Sequence, residues 1–107
     1  MILGILKDIK KDEYRVILTP SEIATYVKNG HVVFVEENAG KAAGFNDSEY
    51  KAVGAHITNK YEIFQKSQLI TKVKEIEPAE YSLIRENQII YTCIHPAAHK
   101  NEVDALL

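Results

Sequence analysis

Short apolar runs alternate with polar, cap-bearing stretches along the chain, and that alternation predicts its elements. Ile2 to Leu6 is a continuous apolar run and reads as a buried strand. Lys7 to Tyr14 is charged and reads as a loop. Thr19-Pro20-Ser21-Glu22 then opens a helix: Thr19 can cap, Pro20 suits the first helical position, and Glu22 stands where a capping-box acid belongs. Ile23, Tyr26 and Val27 supply the apolar stripe, and Asn29-Gly30 the stop. His31 to Glu36, β-branched and aromatic, follows as a strand.

The second half repeats the theme. Asn38 to Phe45, with Gly40 and Gly44, reads as a loop, and Asn46-Asp47-Ser48-Glu49 caps a short helix that ends at Gly54. Ala55 to Thr58 is a weak strand, and Asn59 with Glu62 starts a helix carrying Tyr61 and Phe64. Gln68 to Val73 is a strand, Pro78 to Arg85 a helical turn, Gln88 to Ile94 the most apolar strand, and residues from about Ala98 to Leu107 a last helix. Strands alternating with helical segments over short loops predict an α/β domain with a mainly parallel, Rossmann-like or flavodoxin-like sheet. Continuous apolar runs suit a sheet covered on both faces.

Composition narrows the class without naming a chemistry. The 107 residues fit one domain, and 46% hydrophobic with 26% charged residues excludes a disordered chain. A net charge of -2 offers no field for nucleic acid or an anionic membrane. No apolar run approaches a membrane span, and a single cysteine, Cys93, fits a reducing, cytoplasmic setting. The apolar end at Leu106-Leu107 suggests a cut chain, or a helix that docks on something else.

In open α/β sheets, ligands bind outside the carboxyl ends of the strands. Three polar residues fall past predicted strand ends: Arg15 after the first strand and its loop, Lys74 after Val73, and His95 after Ile94. Together they suit a small α-keto acid. A guanidinium grips a carboxylate in a plane, an ammonium holds the carboxylate or polarises the carbonyl, and an imidazole moves the carbonyl proton. The plainer reading is a capped histidine beside solvated cations.

Other features carry less. His95 and His99 have a metal-sharing spacing, but Pro96 breaks any helix between them. His31 and His56 have no catalytic partner, and Gly40 to Gly44 lacks the spacing of either a phosphate loop or a dinucleotide fingerprint. Cys93 reads as an inert core residue.

These residues resemble a known family. Gly4-Ile5-Leu6-Lys7 and Glu13-Tyr14-Arg15-Val16-Ile17-Leu18-Thr19-Pro20 look like the opening of alanine dehydrogenases and the related transhydrogenase subunits. Gly30-His31, Ala39-Gly40, Gly44-Phe45, Val53-Gly54-Ala55, Lys72-Val73-Lys74-Glu75, Ile94-His95 and Ala105-Leu106-Leu107 extend the likeness over the whole chain. The resemblance implies the N-terminal portion, residues 1–107, of a substrate-binding domain, with the cofactor-binding domain absent. It implies that Arg15 binds the pyruvate carboxylate, Lys74 binds substrate, and His95 is the catalytic acid/base. It also implies NAD or NADP as cofactor, the remainder of the enzyme as partner, and a homo-oligomer. Transhydrogenase subunits carry neither the second lysine nor the histidine, so Lys74 and His95 favour chemistry on an amino or keto acid.

Three departures bear on the amine. Leu6 and Ile76 replace usual prolines, and Pro96 after the histidine is similar to carboxyethylornithine synthase, which joins pyruvate to a side-chain amine. A non-catalytic keto-acid-binding or docking module, motivated by the apolar Val103, Ala105, Leu106 and Leu107, is the reading from another class. No stretch resembles the Gly-x-Gly-x-x-Gly turn that holds a nicotinamide pyrophosphate.

Overall fold

The computed structural model describes residues 1–7, 18–72 and 78–92. Five strands, β1 (Ile2–Ile5), β2 (Val32–Glu36), β3 (His56–Thr58), β4 (Leu69–Lys72) and β5 (Ile89–Thr92), form one sheet in the order β3-β2-β1-β4-β5. Every pairing is parallel, with Ile5 level with Val35 on one side and Thr71 on the other, and Lys72 level with Thr92. The expected parallel α/β sheet is therefore present, and the weak strand at residues 56–58 is a real edge strand.

The helices start where their caps stand. Helix α1 (Pro20–Lys28) carries the complete Thr19–Glu22 capping box, and α2 (Asp47–Ala52) the equivalent box of Asn46 and Glu49. In α3 (Lys60–Lys66) the Asn59 side chain accepts from the Glu62 N–H at 2.8 Å. Each cap satisfies donors that the first helical turn leaves unpaired. At the other end of α3, Arg85 Nε donates to the Phe64 carbonyl at 2.7 Å and Gln88 Nε2 to the Ser67 carbonyl at 2.8 Å.

Side chains alternate across the strands and divide the core into two layers. Leu3, Ile5, Val33, Val35 and Leu69 pack with Ile23 and Tyr26 of α1 and Tyr50 of α2. Leu6 and Ile70 pack with Ile63 and Phe64 of α3. Helix α3 lies so close to β1 that a Cβ on Gly4 would stand 2.6 Å from Ile63 Cγ2 and would also meet Ser67 Oγ.

Several local expectations are refined. Strands β4 and β5 end at Lys72 and Thr92 within the described residues, whereas Val73, Cys93 and Ile94 lie outside them. The loop at residues 38–45 contains a 3₁₀ turn, Lys41–Ala43, closed by Gly44 at φ 95°. The helical turn near Pro78 is a 3₁₀ stretch, Pro78–Leu83. The most apolar strand is not the most buried: Ile89 is exposed and Ile90, Tyr91 and Thr92 are half-buried, because β5 pairs with β4 on one side and has no described strand on the other. His31 precedes β2 rather than opening it, and its Nδ1 lies 3.2 Å from the Met1 amino group. The expected helix near residues 98–107 lies outside the described residues.

Gly4→Ala should destabilise the fold by about 1–3 kcal/mol, the usual cost of forcing a methyl into a packed core. Denaturant melting of the two proteins measures the difference, and an unchanged midpoint would contradict the packing of α3 on β1.

Candidate functional site

A doubly wound sheet has one place where strand order reverses, and here it lies between β1 and β4. The chain winds outward from β1 through β2 to β3, then returns to place β4 and β5 on the other side. Beyond the carboxyl ends of the two switch strands the connecting chains diverge and leave a crevice. With parallel strands about 4.8 Å apart, the ends of β1, β4 and β5 sit side by side across roughly 10 Å.

Arg15, Lys74 and His95 all lie outside the described residues, in the segments 8–17, 73–77 and 93–107. Those segments continue from the carboxyl ends of β1, β4 and β5 respectively. His99 and Cys93 lie outside the described residues as well. Among the described residues no group of three or more His, Cys, Asp and Glu side chains is placed to hold a metal, and no helix is long and apolar enough to cross a membrane.

The described residues at this rim form a charged framework. At the end of β4, Lys72 is fully buried, and its Nζ donates to Glu80 Oε1 at 3.2 Å. Glu80, 1% exposed, belongs to the Pro78–Leu83 turn, and its other oxygen lies 2.9 Å from Lys60 Nζ at the start of α3. The second contact is ionic by charge and distance rather than an aligned hydrogen bond. At the end of β1, the Lys7 N–H donates to Glu36 Oε1 at 2.8 Å and ties that strand to the end of β2. Burial raises the Glu36 carboxyl above its ordinary 4.5, and the Lys7 backbone bond and the Lys60 charge offset this only in part, with Glu80 adding to the rise.

Leu18, the first described residue after segment 8–17, is held from the other layer. Leu18 is buried, and its carbonyl accepts the Tyr50 hydroxyl at 3.0 Å. Gly40 makes room for this tyrosine, since a Cβ there would stand 2.6 Å from the Tyr50 hydroxyl oxygen. Burial drives the Tyr50 phenol well above its usual range, so it stays a donor.

Sequence reading did not single out Lys72, Glu80 or Tyr50 for a role. One signal was available: a lysine closing an apolar run on a central strand must either escape to solvent or find a buried acid. Local pattern does not say which acid.

Glu36 generates a pH prediction. Because its folded carboxyl titrates above its unfolded one, the folded state binds more protons between those two values, and stability falls as pH rises through that window. Glu36→Gln keeps an acceptor for the Lys7 N–H and has no charge to desolvate. It should therefore gain stability relative to the parent as pH rises from below 4.5 to neutrality. Parallel denaturation series at several pH values test this, and a constant difference would refute it.

Comparison with known proteins agrees with this architecture. The chain is 42% identical to an alanine dehydrogenase of Mycolicibacterium smegmatis, with all of this chain and 29% of that protein covered. It is 38% identical to the alanine dehydrogenase of Bacillus subtilis, over 99% of this chain and 28% of the relative. The chain thus spans under a third of the length of these relatives. A solved L-alanine dehydrogenase superposes with a TM-score of 0.82 at 41% identity, covering 86% of this chain and 26% of the other. A transhydrogenase from Sinorhizobium meliloti shares the fold at the same TM-score of 0.82 and 24% identity, covering 99% of this chain and 32% of that one. The model of the alanine dehydrogenase/PNT N-terminal domain matches residues 4–107, nearly the whole sequence, and the chain belongs to that family.

Proposed function

We propose that this chain is the keto-acid-binding N-terminal portion of a nicotinamide-dependent amino acid dehydrogenase of the alanine dehydrogenase type. The whole enzyme would interconvert L-alanine, NAD⁺ and water with pyruvate, ammonium, NADH and a proton. The observation that carries this reading is positional. The segments bearing Arg15, Lys74 and His95 continue from the carboxyl ends of β1, β4 and β5, which are adjacent at the switch point of a sheet shared with a solved L-alanine dehydrogenase.

The roles follow from the chemistry of the side chains. Arg15 holds the pyruvate carboxylate through paired hydrogen bonds, which fix the plane of the keto acid. Lys74 holds substrate and places a fixed positive charge where the carbonyl oxygen gains negative charge. His95 supplies an imidazole that can give and take the proton on that oxygen.

The nicotinamide does not fit these residues. The connection from β1 to α1, where a dinucleotide fold carries its glycine fingerprint, contains no glycine between Lys7 and Thr19. The hydride-carrying cofactor, NAD or NADP, is accordingly assigned to a further domain that acts as partner to this one. The oligomer expected of the whole enzyme belongs to the same proposal. A second reading draws on His95-Pro96, which favours a carboxyethylornithine synthase-type enzyme. It changes the amine and leaves the pyruvate-binding roles as they are.

In the complete enzyme, Arg15→Ala should lower kcat/KM for pyruvate by about tenfold or more, through loss of a charge-assisted pair to the carboxylate. Steady-state kinetics with pyruvate varied at saturating ammonia measure it, and an unchanged value refutes the role of Arg15. The 107 residues by themselves should not oxidise NADH with pyruvate and ammonia, and turnover in that assay would refute the division of labour between domains.

A further inference from the structure

The first lysine of Lys-Val-Lys-Glu has no part in the chemistry proposed above, yet it is one of the most deeply buried side chains in the molecule. Lys72 is 0% exposed at the last position of β4, and Glu80, its partner, is 1% exposed. A buried ion pair does not generally add stability over apolar side chains of similar size, because desolvation offsets the attraction. Its strength is geometric: two groups that cannot tolerate separation hold their backbones at one distance.

The placement gives that property a use. Lys72 and Glu80 are eight residues apart, and the stretch between them carries Lys74. Their contact joins two described residues, Lys72 and Glu80, between which Lys74 lies in the sequence. Glu80 is itself fastened to the body of the domain by Lys60 at the first turn of α3, at 2.9 Å. Lys72 is in register with Thr92, the last residue of β5.

We infer that Lys72 and Glu80 are positioning residues, an internal ionic clamp that sets the placement of Lys74 for the keto acid. The clamp touches neither substrate nor cofactor and acts through the chain it ties. This inference rests on the role proposed for Lys74.

The test is steady-state kinetics on the complete enzyme, with pyruvate and NADH varied separately, alongside thermal melting. The variants are Lys74→Ala, Glu80→Gln and the double variant Lys72→Met with Glu80→Gln. Lys74→Ala should raise the pyruvate KM. Glu80→Gln should raise it by about fivefold or more and leave the NADH KM within about twofold, since displacement of a binding group is felt by its own ligand. It should also lower the melting temperature by leaving Lys72 buried without its counter-charge. The double variant removes that stranded charge, and it should recover the melting temperature while keeping the raised pyruvate KM.

A wild-type pyruvate KM in Glu80→Gln overturns the clamp, as does a double variant that recovers both stability and pyruvate KM. If Glu80→Gln does not fold, the double variant decides by its pyruvate KM alone. If Lys74→Ala leaves the pyruvate KM unchanged, the role of Lys74 fails and the clamp falls with it. If Lys74→Ala raises the KM and the clamp variants do not, the clamp alone fails.

Discussion

Strand β1 is hydrogen-bonded along both edges, to β2 through Ile2–Ile5 and to β4 through Leu3–Ile5, and this double pairing constrains all that surrounds it. A parallel neighbour cannot be reached by a hairpin, so each partner requires a crossover whose helix covers a face. Helices α1 and α2 pack on one face and α3 on the other, and the two core layers follow from that division. The reversal of strand order between β1 and β4 is a product of the same constraint. The crevice is thus a consequence of topology, and side chains at its rim inherit their position from the sheet.

The rim is built with unusual attention to charge. Lys72, Glu80, Lys60 and Glu36 lie at or beside the carboxyl ends of β2 and β4, and two of them, Lys72 and Glu80, are deep enough that water cannot screen them freely. On the other layer Tyr50 reaches Leu18 across the top of the core. These contacts are made by residues flanking two of the three stretches from which the proposed ligands of the keto acid come, Lys7 and Leu18 about the first and Lys72 and Glu80 about the second. Rigid support of that kind separates a site that orients its substrate from one that merely attracts it.

Much of the fold was legible in local pattern, because local physics decides it. The Thr19, Asn46 and Asn59 caps mark helix starts through bonds that span three residues, and all three are made. The strands were visible as apolar runs, though β5, the most apolar, lies at an edge and is less covered than its composition suggested. Strand order was not legible, since it depends on relations between distant parts of the chain, such as the packing of Ile63 and the C-cap Ser67 of α3 against Gly4. Lys72 was hidden for the same reason: its charge is compensated by a residue whose partnership no spacing rule indicates. The proposed site residues were nominated from strand ends and from motif resemblance, and they lie outside the described residues.

The central strand is also the first of the five to be synthesised. Ile2–Ile5 leave the ribosome well before Val32–Glu36 and far ahead of Leu69–Lys72, so the strand at the middle of the sheet has neither of its partners when it emerges. Its contacts with β4 span more than half the described chain, and long-range parallel pairings of this kind slow folding because chain closure precedes the reward. One edge of Ile2–Ile5 must therefore stay unpaired until Leu69–Lys72 has been made, and for that interval an apolar strand edge stands open to wrong partners.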